Sequence, residues 1–237
     1  KAVEREAAAR GLDVIDATCP LVRKVHKQAQ RYAERGYDIL VIGHAEHVEV
    51  IGTVGQIPGA VHVIARIEDI DDVVVRDADR VAFVTQTTLS VGDTRDVIAA
   101  LRRRFPNIVG PDTRDICYAT HNRQMAVLDL ARRAELILVV GSGNSSNSNR
   151  LREIGERAGV PSFLVERPAA IDPDWLADVA TIGLTAGASV PEVLVEEAIA
   201  RLRSIRPVTL ESLDGIVEDI EFRLPAKLLD NAAAAIP

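Results

Sequence analysis

Cys19 and Cys117 are the only two thiols of this 237-residue chain, and they stand 98 positions apart. The same offset carries Ile39-Leu40-Val41-Ile42-Gly43 onto Ile137-Leu138-Val139-Val140-Gly141, and Val81-Ala82 onto Val179-Ala180. A unit that repeats together with its cysteine puts the thiols at equivalent points of two related folds. Two thiols set around a pseudo-symmetry axis suit a shared metal or iron–sulfur centre, whereas either alone reads as an inert core residue.

Four further clusters have the residue types that chemistry needs. Gly141 to Asn149 is a run of Gly, Ser and Asn ahead of a helical segment. Small residues there let the backbone approach a ligand, and hydroxyls, amides and free helix N–H groups donate to an anion. No Gly-Lys-Ser/Thr follows, so it is not a P-loop, and a solvent-exposed polar loop is the bland alternative. Thr185-Ala186-Gly187-Ala188-Ser189 is a second small-residue tip, in which Ser189 reads as a helix cap. His44, Glu46, His47 and Glu49 cluster where a strand should meet a helix. His44 and His47 are spaced to ligate zinc from one helical face. Alternatively, His47 binds an anion and Glu49 moves a proton, or the group is only a cap with surface charge. Thr85-Gln86-Thr87-Thr88-Leu89-Ser90 reads either as a holder of a substrate hydroxyl or as a polar turn. His26, His62 and His121 belong to no motif and read as structural or exposed.

These clusters need elements to hold them. Short β-branched runs alternate with longer helical segments, the pattern of parallel sheets with crossover helices. The expected strands are 38–42, 60–65, 80–85, 136–140, 161–165 and 179–183. The expected helices are 20–35, 47–56, 92–104, 119–133, 147–158 and 190–204, with Pro20 in a first turn where a missing N–H costs nothing. The chain opens at Lys1 on Ala2–Arg10, which reads as a helix tail capped by Gly11 and followed by a strand at Leu12–Ile15. That reads as the end of a preceding unit. The expected organisation is 1–18 as that end, 19–112 and 113–205 as two α/β domains parting at Gly110–Thr113, and 206–237 as a C-terminal arm. Ligands of open α/β sheets bind beyond the carboxyl ends of the strands, which is where all four polar clusters fall.

With 47% hydrophobic residues the chain can build real cores. A net charge of −7 and 3% aromatics argue against nucleic-acid and anionic-membrane partners. No apolar run reaches the length of a membrane span, and two distant cysteines are no disulfide framework. A reducing cytoplasm is the expected compartment.

Asp16-Ala17-Thr18-Cys19-Pro20-Leu21-Val22, His47-Val48-Glu49-Val50, the Thr85–Ser90 run and Asp115-Ile116-Cys117-Tyr118-Ala119-Thr120 resemble the LytB-type 4-hydroxy-3-methylbut-2-enyl diphosphate reductases. Asn144-Ser145-Ser146-Asn147-Ser148-Asn149-Arg150-Leu151 and Thr185–Ser189 complete the set, in order and over almost the whole chain. The resemblance implies a trefoil of three related α/β domains around an iron–sulfur cluster. It also implies reductive removal of an allylic hydroxyl, giving isopentenyl and dimethylallyl diphosphate at the end of the non-mevalonate pathway. By resemblance, Cys19 and Cys117 are two of three thiolate ligands of a 4Fe-4S cluster. Ser145, Asn147, Ser189 and His47 hold the diphosphate, with Ser146 in the same loop. Glu49 delivers protons to the leaving hydroxyl, Thr87 helps to hold that group, and ferredoxin or flavodoxin supplies electrons. The chain departs from the family pattern at Val48, where proline is usual. It also lacks a counterpart to the first domain, with its cysteine and two histidines. Two other readings remain: a phosphate-compound-binding module without redox chemistry, and a zinc hydrolase built on His44 and His47.

Overall fold

The structure, a computed structural model, describes residues 2–216, 219–224 and 228. It divides into two compact units. The first takes the described residues of Lys1–Thr87, Gly92–Asp115 and Asp219–Pro237, and the second takes Thr88–Val91 and those of Ile116–Glu218.

In the first unit, α1 (Ala2–Ala9) is followed by α2 (Pro20–Glu34), β1 (Asp38–Ile42), α3 (Val48–Val54), β2 (Val61–Ile64), β3 (Val81–Thr85) and α4 (Val91–Arg104). The sheet is parallel, in the order β2-β1-β3, with Ile39 opposite Val61 and Asp38 opposite Val81. Beyond β3 a single parallel bridge joins Ala82 to Val109. Every residue of β1 and β3 is buried, as a parallel strand covered on both faces requires. Ile39 and Val41 pack on Val25 and Ala29 of α2 and Val50 of α3.

The second unit repeats the plan. Its elements are α5 (Tyr118–Ala131), β4 (Leu136–Val140), α6 (Ser146–Arg157), β5 (Ser162–Val165), β6 (Ile182–Ala186) and α7 (Glu192–Ile205), with sheet order β5-β4-β6. Ile137 and Val139 face Val127 of α5 and Leu151 of α6, while Leu136, Leu138 and Val140 face Ala198 and Leu202 of α7. Alternation of the two faces along one strand is what seats helices on both sides of the sheet.

The repeat offset is not constant. It is 98 from α2 to α5 and from β1 to β4, but 101 from β2 to β5, β3 to β6 and α4 to α7. The three extra residues fall between β4 and β5, where α6 has 12 residues against 7 in α3. This corrects the last expected strand: it is 182–186, not 179–183. Before it, the amides of Ala180 and Thr181 donate to the Glu135 carboxylate rather than to a neighbouring strand. The expected strand at Leu12–Ile15 has no regular structure, and Leu12, Val14 and Ile15 are exposed. Gly11 does follow α1 with a left-handed φ of 65°, the conformation of a C-terminal helix stop. Of the expected arm, residues 206–216 and 219–224 have no helix or strand, and most of the rest lies outside the described residues.

Candidate functional site

Each cysteine is the residue from which a helix starts. Cys19 precedes Pro20 at the head of α2 and is exposed, whereas Cys117 precedes Tyr118 at the head of α5 and is half-buried. Both backbones are extended there, and neither thiol bonds to its helix, so the sulfurs remain available to another partner. Among the described residues, no three His, Cys, Asp or Glu side chains are gathered in a way that would hold a metal ion. The chemistry of two free thiols at helix N-termini suits an iron–sulfur cluster, but their number is two.

In the first unit, the tips after β1 and β3 come together. The His44 amide donates to Gln86 Oε1 at 3.1 Å. Glu49, in the first turn of α3, accepts from the Thr87 amide at 2.7 Å and from Thr87 Oγ1 at 2.9 Å. Burial pushes the Glu49 carboxyl above its ordinary value; the bonds from Thr87 oppose that rise, and the Asp115 carboxylate adds to it. A carboxyl raised above its ordinary value while still held by hydrogen bonds is suited to proton delivery. His47 caps α3, with Nδ1 accepting from the Glu49 amide at 3.2 Å. That bond puts the proton of the neutral ring on Nε2, leaving a donor free for a ligand. Burial, with His44 adding to it, holds the imidazole below its ordinary value and so neutral. The bland capping reading is thus true of His47 without excluding a ligand at Nε2. The side chains of His44 and Glu46 are exposed.

The second unit builds the equivalent corner from neutral groups. Ser145 caps α6, its Oγ accepting from the Ser148 amide at 3.2 Å. It stands 98 positions after His47, as Asn147 stands 98 after Glu49. Asn147 is 7% exposed, and both its amide nitrogen and its oxygen are buried without a hydrogen-bond partner. Two orphaned polar atoms on one side chain mark a place where a ligand would complete the bonding. Ser146 Oγ lies 3.2 Å from Thr88 Oγ1. The β6 tip closes the corner: a methyl group on Gly187 would sit 2.3 Å from Ser148 Oγ and 3.5 Å from Asn147 Nδ2. Ser189 lies two residues further on, exposed in the turn before α7. It does not cap that helix; Pro191 does, because α7 begins only at Glu192.

Two participants were not singled out from the sequence. Asp115 is buried and faces Lys24 Nζ across 3.2 Å; its place two residues before Cys117 was the available signal. Ser148 is 1% exposed with an unpartnered hydroxyl, and the glycines at 141 and 187 that make room for it were the clue. Of the remaining histidines, His26 is half-buried with Nε2 lacking a partner, and His62 and His121 are half-buried.

A family model described as LytB protein matches residues 1–203. The chain belongs to the LytB family. Among its LytB relatives, the protein named 4-hydroxy-3-methylbut-2-enyl diphosphate reductase from Zymomonas mobilis is 57% identical, over 99% of this chain and 73% of the relative. The protein of the same name from Burkholderia pseudomallei is 54% identical, over 99% of this chain and 75% of the relative. The solved structure of the E-1-hydroxy-2-methyl-but-2-enyl-4-diphosphate reductase from Plasmodium falciparum superposes with a TM-score of 0.92 at 35% identity, covering 98% of this chain and 74% of that one. The LytB match accords with the two small parallel sheets and their helices. No helix among the described residues is long and apolar enough to cross a membrane.

Proposed function

We propose that this protein takes part in the reductive dehydroxylation of 4-hydroxy-3-methylbut-2-enyl diphosphate, giving isopentenyl and dimethylallyl diphosphate as the last step of the non-mevalonate pathway. The observation that supports it most directly is Glu49, a half-buried residue whose carboxyl is oriented by both donors of Thr87 and raised above its ordinary value by desolvation. In this reading protonated Glu49 gives its proton to the leaving allylic hydroxyl, which departs as water, and Thr87 keeps the carboxyl aimed. The net change is allylic alcohol plus two electrons and two protons to alkene plus water.

The diphosphate is assigned to neutral donors: Ser145, Ser146 and Asn147 at the head of α6, Ser189 beyond β6, and His47 Nε2. The partial positive charge of a helix N-terminus and converging N–H and O–H groups hold an anion without a basic patch. The unpartnered Asn147 amide favours this assignment. A 4Fe-4S cluster held by Cys19 and Cys117, with a third thiolate that these two cysteines do not supply, would provide electrons and a Lewis-acidic iron for the hydroxyl. Ferredoxin or flavodoxin is the proposed electron donor.

Anaerobic reconstitution with iron and sulfide of a form that carries all three thiolates, followed by visible absorption, EPR and product analysis, tests the reading. Cluster absorption that bleaches on reduction and returns on addition of the allylic alcohol substrate, with both diphosphate products formed, is expected. Absence of any iron–sulfur signal would sink it. Tight diphosphate binding without that signal would instead leave a phosphate-compound-binding module, the reading the neutral α6 corner by itself also fits.

A further inference from the structure

The protein as a whole is acidic, yet one face of one helix is not. Along α2, Arg23, Lys24, Lys27, Arg31 and Arg35 fall at spacings of three and four and, with Pro20, line a groove of about 710 Å³. All five cations are exposed. At about 1.5 Å of rise per residue, Arg23 to Arg35 make a stripe roughly 18 Å long. The sole carboxylate of α2, Glu34, does not line the groove. Arg23 reaches Asp16 only at 3.8 Å and Lys24 is drawn to Asp115. Lys27, Arg31 and Arg35 have no carboxylate partner among the described residues, which leaves three uncompensated charges side by side. The buried side of the same helix, Val25 and Ala29, is sealed against β1, so the basic face is not needed for folding.

The head of this helix is Cys19. A cationic stripe that starts next to a proposed cluster ligand focuses field lines there, steers an anionic partner and orients it as it lands. We infer that the α2 groove is the docking face for an acidic electron-carrier protein, which it seats with its redox centre toward Cys19. This rests on the reductase reading above. Each encounter transfers one electron, the carrier being oxidised by one and this protein reduced by one. Two encounters supply the pair that, with two protons, removes the hydroxyl as water. A short, charged stripe matches the small contacts of transient electron-transfer pairs.

The test uses the reconstituted protein and a plant-type [2Fe–2S] ferredoxin as an acidic probe. Binding of the oxidised carrier is measured at low and high ionic strength, and reduction is followed by stopped flow with either the reduced carrier or dithionite. The doubly reversed variant Lys27→Glu/Arg31→Glu should bind the carrier about tenfold more weakly at low salt and lose most of the salt dependence. Its reduction by the carrier should slow in proportion, while reduction by dithionite stays as in the wild type. A milder Lys27→Gln/Arg31→Gln variant should fall between, and Arg132→Glu/Arg133→Glu, a reversal in the second unit, should behave as wild type. Equal carrier binding by wild type and reversed variant overturns the inference. So does equal slowing with dithionite, or tighter binding of a single-stranded oligonucleotide than of the carrier at this face. Salt-dependent carrier binding that is lost in the reversed variant, with no spectral change on reduction of the wild type, upholds the docking face and sinks the reductase reading instead.

Discussion

Glu49 and Asn147 occupy the same place in the two repeats, the second residue of the helix that follows the first strand; Glu49 is half-buried and Asn147 buried, each with a different need. Glu49 has its donors in Thr87 and is short of a proton acceptor; the side-chain amide of Asn147 has no hydrogen-bond partner among the described residues. Glu49→Gln should keep substrate affinity within about twofold while lowering turnover by about 10² or more, the usual share of a general acid. The pH profile carries the sign. Because burial raises the Glu49 carboxyl, its active, protonated form persists above the ordinary carboxylate range, and activity should fall as pH rises through the shifted value. That falling limb should be missing in Glu49→Gln; an unchanged limb would assign the proton to another group. Asn147→Ala should raise KM more than it lowers kcat, since a diphosphate holder works in ground and transition states alike. Asn147→Leu, close in size, should lose diphosphate affinity yet raise the Tm of the ligand-free protein, because it removes two unsatisfied buried polar atoms. A Tm drop would show that the side chain is bonded in solution.

The corner at the head of α6 depends on how closely three elements approach. Ser148 Oγ sits where a methyl on Gly141 or on Gly187 would come within 2.3 Å. Real Cβ atoms do not tolerate that distance, so α6 can lie against the β4 and β6 tips only while both residues are glycine. Gly187→Ala should therefore destabilise the second unit by about 1–3 kcal/mol, the usual cost of overpacking, and should weaken diphosphate binding by moving Asn147. Ser148→Gly added to Gly187→Ala should restore much of both, as thermal melts and a double-mutant cycle would show. Additive losses would mean that the two positions are not in contact.

At the scale of the whole chain, one plan is used twice with different chemistry at the same corner: imidazole and carboxylic acid in the first unit, hydroxyls and an amide in the second. Stability rests partly on a charge unrelated to this chemistry. Asp38, at the start of β1, is almost fully buried and accepts from the Arg76 amide and Nε, each at 2.7 Å. Burial alone would raise its carboxyl, but the bonds and charge of Arg76 hold it below the ordinary value. A carboxyl depressed on folding stabilises above its unfolded pKa, and that contribution is lost as pH falls through the folded one. Asp38→Asn should cost roughly 1.5–3 kcal/mol at neutral pH, as for a hydrogen bond to a charged group. In urea melts the difference should shrink toward the acid end; a deficit that grows with acidity would refute the assignment.

The strand and helix periodicity, the repeat signalled by Cys19 and Cys117, and the polar runs that end the strands are local properties of the chain. Five of the seven expected strands and all seven helices could therefore be read to within a few residues. Of the two exceptions, β6 lay beyond a three-residue lengthening between β4 and β5, and a repeat counted at constant offset cannot sense an insertion. Leu12–Ile15 has strand-like composition, yet pairing depends on a neighbour at the sheet edge, which no window of sequence contains. The residue types at the corner were legible for the same local reason: serine, asparagine, histidine and glutamate fall just where strands give way to helices. What only the tertiary structure decided was their state. Thr87 lies 38 residues from Glu49 and Gly187 lies 39 from Ser148; long-range packing alone brings them together, desolvates the carboxyl and leaves the Asn147 amide without a partner.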